Sequence, residues 1–398
     1  MAIMDALRRG DQPARQFDVS GMAGGEVPVR RLFSVSLGFG LLVCILTTLS
    51  FSQKKPDWRG RIDKEGDMVV VKNPRSPQYG AGAFSLEEDL AVGGQDSADA
   101  LLAEITSIAV DGRGLIFVLD GEDKDVKVFG QDGKHVKTFG KAGQGPGEFP
   151  NPQSIFFNEN NEIVVVNVAR LSIFDASGNY LRDVSLGGQI VMMVWPDFRG
   201  NYFGYCIPNM ALEGRYELHK FDGAFKDLFV IESSPLMNFG RDGYDPFFPL
   251  LRWAPLPGGG AVCGYAVKPE LTVHDTNGRL VRKIELDPEP VPVAQEDVKE
   301  RTKGARPEMM NVLKVPKYYP GFRYLASDDE GRIYVLSWER PPGRKGYYFD
   351  VFDSEGRYLV RGVIPVLQPF IRKGRLYASE ETDEGYAVLK RYKIRWNF

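Results

Sequence analysis

The sequence has 398 residues, of which 43% are hydrophobic and 26% charged, and its formal net charge is -3. This composition is that of a globular protein, and the length suits one large all-β domain or two smaller ones. The near-neutral charge gives no electrostatic basis for binding nucleic acid, and three cysteines are too few for a disulfide framework.

The first feature along the chain is an uncharged apolar run, residues 32–51. Arg30 and Arg31 precede the run, and the small residues Ser50 and Ser52 lie at its end, as in a secretory signal. The run is also long enough to span a bilayer if it is not cleaved. We therefore predict that residues 1–52 form a signal peptide or a helical membrane anchor. The body is then exported to the periplasm or the extracellular space, and residues 53–65 form a polar lead-in.

A repeated unit follows this leader. One copy begins at Ser107 and a second at Ser154, 47 residues later. Each copy reads as strand, tight turn, strand, loop, strand, turn and strand, and the same order returns three more times up to about residue 366. Four-stranded units at this spacing predict the blades of a β-propeller.

The turns within these units combine Asp or Asn with Gly. Asp and Asn side chains bond to their own backbone and Gly accepts a positive φ, so these segments are predicted as hairpin turns. The turns between first and second strands are Asp111–Gly114, Asp197–Gly200 and Asp328–Gly331. Those between third and fourth strands are Asp132–Gly133, Asp175–Gly178, Asp222–Gly223, Asn277–Gly278 and Asp353–Gly356.

A sixth unit can be assembled from both ends of the chain. Residues 368–394 provide three strands, and Gly66–Asn73 provides the fourth. Pairing an N-terminal strand with C-terminal strands closes the ring and leaves no open sheet edge there. We therefore predict an all-β protein in which residues 66–398 form a six-bladed β-propeller of four-stranded antiparallel blades.

The segment "GQGPGEFPNPQSI", residues 143–155, joins the first two units. It resembles the linker of NHL repeats, in which glycines turn the chain and an aromatic residue packs between adjacent blades. The matching positions are Gly143, Gly145, Gly147, Phe149, Pro152 and Ile155. A phosphate-binding loop would need Gly-Lys-Ser/Thr at a helix start, and none follows. The chain thus resembles the secreted bacterial six-bladed propellers related to NHL-repeat proteins, which implies a fold and little chemistry.

Long irregular segments collect on one face of the predicted disc, where second-to-third loops and unit-to-unit linkers lie. The last long linker contains two candidate short helices, "AQEDVKERTKGA" and "PEMMNVLK". Such insertions on a rigid scaffold often carry function, although they can also be tolerated surface loops.

We therefore predict an exported ligand- or protein-binding scaffold module whose partner is an envelope protein or a glycan. We expect no cofactor, no nucleic acid and no membrane contact beyond the N-terminal segment if it remains uncleaved. Aromatic and arginine side chains are the usual interface anchors. The candidate binding residues on this face are Trp338, Arg340, Arg344, Arg241, Tyr244 and Arg170.

The main alternative is a calcium-dependent hydrolase or lactonase with its site at the tunnel mouth. Asp120 and Asn167 end equivalent second strands, and they resemble the oxygen ligands of gluconolactonase-like and paraoxonase-like propellers. Both residues can equally make local turns. A further possibility is a blade-stacked subunit of a larger envelope complex.

Overall fold

The computed structural model describes residues 57–94, 101–188, 191–208 and 214–398. The predicted signal or anchor, residues 1–52, lies outside these ranges. Within them, every helix is too short or too polar to cross a bilayer.

Three strands precede the first complete blade. They are β1 (Arg61–Glu65), β2 (Met68–Lys72) and β3 (Phe84–Gly93), with a 3-10 turn at Ala81–Ala83.

Five blades then follow in chain order, and each contains an antiparallel meander of four strands. Blade 1 contains β4 (Ile105–Val110), β5 (Ile116–Asp120), β6 (Asp125–Phe129) and β7 (His135–Phe139). Blade 2 contains β8 (Pro152–Phe157), β9 (Ile163–Asn167), β10 (Arg170–Phe174) and β11 (Tyr180–Ser185). Blade 3 contains β12 (Val191–Pro196), β13 (Tyr202–Cys206), β14 (Arg215–Phe221) and β15 (Asp227–Pro235). Blade 4 contains β16 (Leu251–Pro255), β17 (Ala261–Tyr265), β18 (Glu270–His274) and β19 (Leu280–Glu285). Blade 5 contains β20 (Tyr324–Ser327), β21 (Ile333–Leu336), β22 (Tyr347–Phe352) and β23 (Tyr358–Ile364).

The sixth blade joins the two ends of the ring. Its first three strands are β24 (Phe370–Arg372), β25 (Arg375–Glu381) and β26 (Ala387–Trp396), and β3 is the fourth. Strand β3 runs antiparallel to β26, from Phe84 opposite Trp396 to Gly93 opposite Val388. The predicted six-bladed propeller of four-stranded antiparallel units is confirmed.

The prediction that Gly66–Asn73 closes the ring is wrong. Strand β2 instead adds in parallel to the outer edge of blade 4, with Val71 opposite Ile284. Strand β1 lies in the predicted polar lead-in and pairs with β2, so this sheet has six strands. The outer edge of β19 offers unpaired backbone groups, and Val70 and Val71 become buried there.

The hydrophobic core consists of layers between neighbouring blades. Strands β5 and β9 are buried along their whole length because both of their faces contact other blades. Phe149 from the glycine-rich linker is fully buried between blades 1 and 2, with its ring 5.7 Å from that of Phe174. The predicted packing of the linker aromatic is therefore confirmed.

The turns show the predicted hydrogen bonds. Asp175 Oδ1 accepts the backbone N–H of Ser177 at 2.8 Å and that of Asn179 at 2.9 Å. The same pair of bonds, to the second and fourth residues onward, forms at Asp111, Asp197, Asp222, Asp275, Asp328 and Asp353. First-to-second and third-to-fourth turns lie on one face, which we call the turn face.

The opposite face, which we call the linker face, carries the second-to-third loops and the blade-to-blade linkers. Helix α1 (Phe239–Asp242) lies in the linker before blade 4, and α2 (Gln295–Thr302) and α3 (Pro307–Asn311) lie in the linker before blade 5. The two short helices predicted in that linker are thus confirmed. A 3-10 turn, Pro342–Arg344, lies in the second-to-third loop of blade 5.

Candidate functional site on the linker face

Two linkers and one loop meet beside blade 5. Backbone bridges join Tyr244 to Leu313 and Pro292 to Tyr318. Phe247, from the first linker, packs in a buried cluster with Val298 of α2 and Tyr319, and Trp338 lies at the edge of this cluster. These contacts fix segments that are distant in sequence against one another.

An aromatic stack forms the centre of this region. The rings of Tyr319 and Trp338 are 4.2 Å apart and nearly parallel, and Phe247 meets Trp338 edge-on at 5.8 Å. The Tyr319 hydroxyl donates to Asp297 Oδ2 at 2.6 Å and accepts from the Ala294 N–H at 3.0 Å. Helix α2 is thereby held to the stack.

Three arginines alternate with two of the rings. The guanidinium carbons of Arg301 and Arg323 lie 5.3 and 4.8 Å from the Trp338 ring centre. Those of Arg323 and Arg340 lie 5.8 and 4.9 Å from the Tyr347 ring centre. We call these five residues, Arg301, Trp338, Arg323, Tyr347 and Arg340, the arginine ladder.

The positive charge of the ladder has no carboxylate partner among the residues that the structure describes. Of the nearby acids, Asp297 accepts the Tyr319 hydroxyl and Glu339 pairs with Arg361. Burial lowers the pKa of the Arg323 guanidinium, and the charges of Arg340 and Arg301 lower it further. The ladder is therefore an electropositive surface with aromatic walls.

A cavity of about 740 Å³ opens beside the ladder on this face. Tyr347 belongs both to the ladder and to the cavity wall, and Tyr324 lines the wall next to it. The wall also includes Glu380 and Glu381 of blade 6. The ladder thus borders a concave space in the middle of the disc.

A smaller cavity of about 400 Å³ lies toward the turn face. Its wall is largely apolar and includes the aromatic residues Phe198 and Trp253, and Trp195, Tyr324 and Phe370 line both cavities. These shared aromatic side chains lie between the two spaces.

The structure brings several predicted binding residues together. Trp338 and Arg340 belong to the ladder, and Arg344 lies in the 3-10 turn of the same loop. Tyr244 donates its hydroxyl to the carbonyl of Arg301 at 3.3 Å, and Arg241 pairs with Asp242 at 2.8 Å. The loop around α1 therefore adjoins the ladder.

Arg170 lies apart from this group, in blade 2. Its guanidinium donates to the carbonyls of Gln144, Gly145 and Glu148, each at 3.1 Å, and Asp183 lies 3.4 Å from its Nε. These bonds hold the glycine-rich linker in its turned conformation. The contacts of Arg170 are accordingly structural.

The residues proposed for calcium do not fit that ion. Asp120 lies in a cluster with Asp123 and Asp125, whose carboxylates are within 4.8 Å of one another. Lys127 Nζ occupies the centre of this cluster, 2.9, 2.6 and 3.0 Å from Asp120, Asp123 and Asp125. The lysine ammonium thus already provides the cation that the carboxylates need.

Asp120 and Asn167 also have local partners. The Asp120 carboxylate accepts the N–H groups of Ala103 and Glu104; burial raises its pKa, but the bonds from Lys127 and the backbone outweigh burial and lower it. Asn167 Nδ2 donates to Ser172 Oγ at 3.3 Å, while its Oδ1 is buried without a partner in the described ranges. One such oxygen is far from the six to eight that calcium takes.

Sequence reasoning missed Arg301, Arg323 and Tyr347. The signal that was available is the density of aromatic and arginine residues in "YYPGFRY", residues 318–324.

Comparison with known proteins supports the fold. Residues 95–227 match a family model described as a 6-bladed beta-propeller, and no curated protein matches the sequence. A Bacteroides fragilis protein assigned as exported is similar in structure, with a TM-score of 0.52 and 13% identity over 82% of this chain and 99% of that one. A domain-family member from Bacteroides vulgatus has a TM-score of 0.48 and 14% identity, over 80% and 100% of the two chains. A gluconolactonase from Xanthomonas campestris has a TM-score of 0.40 and 12% identity, over 77% and 87%.

At these identities the similarity concerns the fold alone. The family match and the six closed blades identify the chain as a six-bladed β-propeller, and they confirm its predicted resemblance to the bacterial propellers of this type.

Proposed function

We propose that the protein is a binding module of the cell envelope that captures a ligand or partner through the arginine ladder on its linker face. The observation that carries the proposal is the ladder itself, in which charged and aromatic side chains from three chain segments converge without a carboxylate partner in the described ranges. Arginine and aromatic residues are the side chains that most often dominate binding energy.

The fixed geometry of this region also supports binding. The Tyr319 hydroxyl holds α2, and the bridge from Tyr244 to Leu313 joins the two linkers. A ligand therefore meets side chains that are already positioned, which lowers the entropy cost of ordering them. Loops that are only tolerated on the surface have no need of such contacts.

The test is capture of envelope components by the immobilised protein. We expect Arg340→Ala to reduce the captured amount several-fold, because Arg340 is exposed and belongs to the ladder. The matched control is Arg306→Ala, an exposed arginine of the same face with no ring contact among the described residues. Both variants should keep the wild-type Tm. Equal capture by the two variants would place binding elsewhere, and capture from the cytosolic fraction alone would contradict the envelope location.

A further inference from the structure

The ladder concentrates positive charge in a small space. The distances to the shared Trp338 ring place the guanidinium groups of Arg301 and Arg323 within about 10 Å of each other, one Debye length, so their fields overlap. Arg323 and Arg340 both lie close to the Tyr347 ring, so the distance between their guanidinium groups is similarly short. Each arginine therefore raises the free-energy cost of keeping its neighbour charged.

The aromatic rings offset only part of this cost. A cation over a ring gains about 0.5 to 2 kcal/mol, whereas Arg323 is half-buried as well as close to like charges. Arg252 of β16 adds a further positive charge beside Arg301: burial lowers its pKa, the charge of Arg301 lowers it further, and no carboxylate within the described ranges pairs with it. An anion bound at this point would be attracted by all of these positive charges together.

The guanidinium group also selects the type of anion. Its planar set of donors matches two oxygens of a carboxylate or a sulfate, which it can bind through two parallel hydrogen bonds. Arg340 and Arg323 flank Tyr347, a residue of the cavity wall. An anionic group bound there would have the rest of its molecule inside the cavity.

The cavity defines the rest of the ligand. Its volume of about 740 Å³ lies within the range of small-molecule sites rather than that of flat protein interfaces. Its wall combines the hydroxyls of Thr106 and Ser107 with the tyrosines, which suits a molecule that presents both hydroxyl groups and C–H faces. Glu380 on this wall pairs with Lys390 at 3.2 Å, whereas Glu381 adds a negative charge that disfavours an anion beside it and so favours the ladder side.

Building on the binding function proposed above, we propose that the ligand is an acidic saccharide. Its carboxylate or sulfate group pairs with Arg340 and Arg323, and its sugar rings occupy the cavity beside Tyr347 and Tyr324.

The experiment is calorimetric titration of the full-length protein with trigalacturonate. Maltotriose, a neutral trisaccharide, is the matched control ligand. A sulfated heparin disaccharide shows whether the site prefers a sulfate or a carboxylate group. We expect the acidic sugars to bind at least 10-fold more tightly than maltotriose, with an affinity that falls as salt is added. We expect Arg340→Gln to weaken acidic-sugar binding about 10-fold, the equivalent of one charge-assisted pair, and Arg306→Gln to leave it unchanged.

The remaining outcomes separate the two proposals. Equal affinity for maltotriose, or acidic-sugar binding that Arg340→Gln leaves unchanged, overturns the assignment of the ladder as the anion site. If a tetraglutamate peptide binds and no acidic sugar does, the saccharide class is wrong although the module still binds a ligand. If nothing binds and Arg340→Ala also leaves envelope capture unchanged, the proposed function itself fails.

Discussion

Lys127 forms the centre of a network of ion pairs in blade 1. Its ammonium group contacts three carboxylates while its side chain is only 9% exposed. The motif "DGEDKDVK" therefore encodes both the acidic cluster and its counter-ion. The sequence showed Asp120 as a turn-making or ligating residue, but only the folded geometry shows that a lysine seven residues onward is its partner.

We expect Lys127→Met to lower the free energy of unfolding by about 3 to 5 kcal/mol at neutral pH, because it leaves the buried carboxylate of Asp120 without its counter-ion. Asp120 has a lowered pKa in the folded state, so its contribution to stability is present above the unfolded pKa of about 4 and is lost as the pH falls through the folded value. The difference between the variant and the wild type should therefore shrink in acid. Urea denaturation across pH measures both effects.

The control for this prediction is Lys134→Met. Lys134 pairs with Asp132 at 3.4 Å, and its side chain is 85% exposed. An exposed pair contributes less than about 1 kcal/mol. Equal losses in the two variants would show that the carboxylate cluster does not depend on Lys127.

At the scale of elements, the third-to-fourth turns also position the blades. In four blades the turn glycine faces a side chain on the outer strand of the preceding blade, so that an added Cβ would lie 2.6 to 2.8 Å from it. The contacts are Gly133 with Leu90, Gly178 with Phe139, Gly278 with Phe229 and Gly356 with Ile284. Glycine is thus needed both for the turn and for the close approach of two blades.

We expect Gly178→Ala to cost more stability than Gly304→Ala. Both glycines have a positive φ, 77° and 80°, so both variants carry similar backbone strain of about 1 to 2 kcal/mol. A Cβ at Gly178 would also meet Phe139 at 2.8 Å, whereas at Gly304 no atom of the described residues lies within 4 Å. Thermal unfolding of both variants measures the difference, and equal Tm values would remove the role of Gly178 in blade contact.

The elements were predictable to the extent that their chemistry is local. Asp-Gly turns and β-branched strands identify the blades because each turn bonds within itself. The identity of the closing strand was not predictable. Strand β2, "MVVVK", is the more apolar of the two candidates and β3, "FSLEEDLAVG", is rich in charge, yet it is β3 that pairs with β26, across about 300 residues of sequence. No local pattern specifies such a pairing.

At the scale of the whole molecule, ring closure and the added edge strands are separate features. Strand β3 completes blade 6, whereas β1 and β2 extend blade 4 from outside. The ladder depends on blade 5 and the linker before it, because Arg301, Arg323 and Arg340 belong to different segments that meet only when this blade is in place. Trp338 and Arg340 were predictable as loop residues and "YYPGFRY" points to Arg323, but no local pattern places Arg301 beside them.

We expect a chain that begins at Asn73 to fold into a closed ring with a modestly lower Tm. A chain that begins at Gly94 lacks β3, exposes the edge of β26 and should lose cooperative unfolding or aggregate. Calorimetry and size-exclusion chromatography compare both with a chain that begins at Asp57. Cooperative unfolding of the shortest chain would show that β3 is dispensable for closure.

The pairing of β3 with β26 also has a consequence for biosynthesis. The ribosome makes residues 84–93 before residues 387–396, so β3 stays without its partner strand while the roughly 300 residues between them are synthesised. Until residues 387–396 have been made, blade 6 is incomplete and the ring stays open. A prematurely terminated product never obtains the missing partner, and its bare sheet edge marks it for chaperones and proteases.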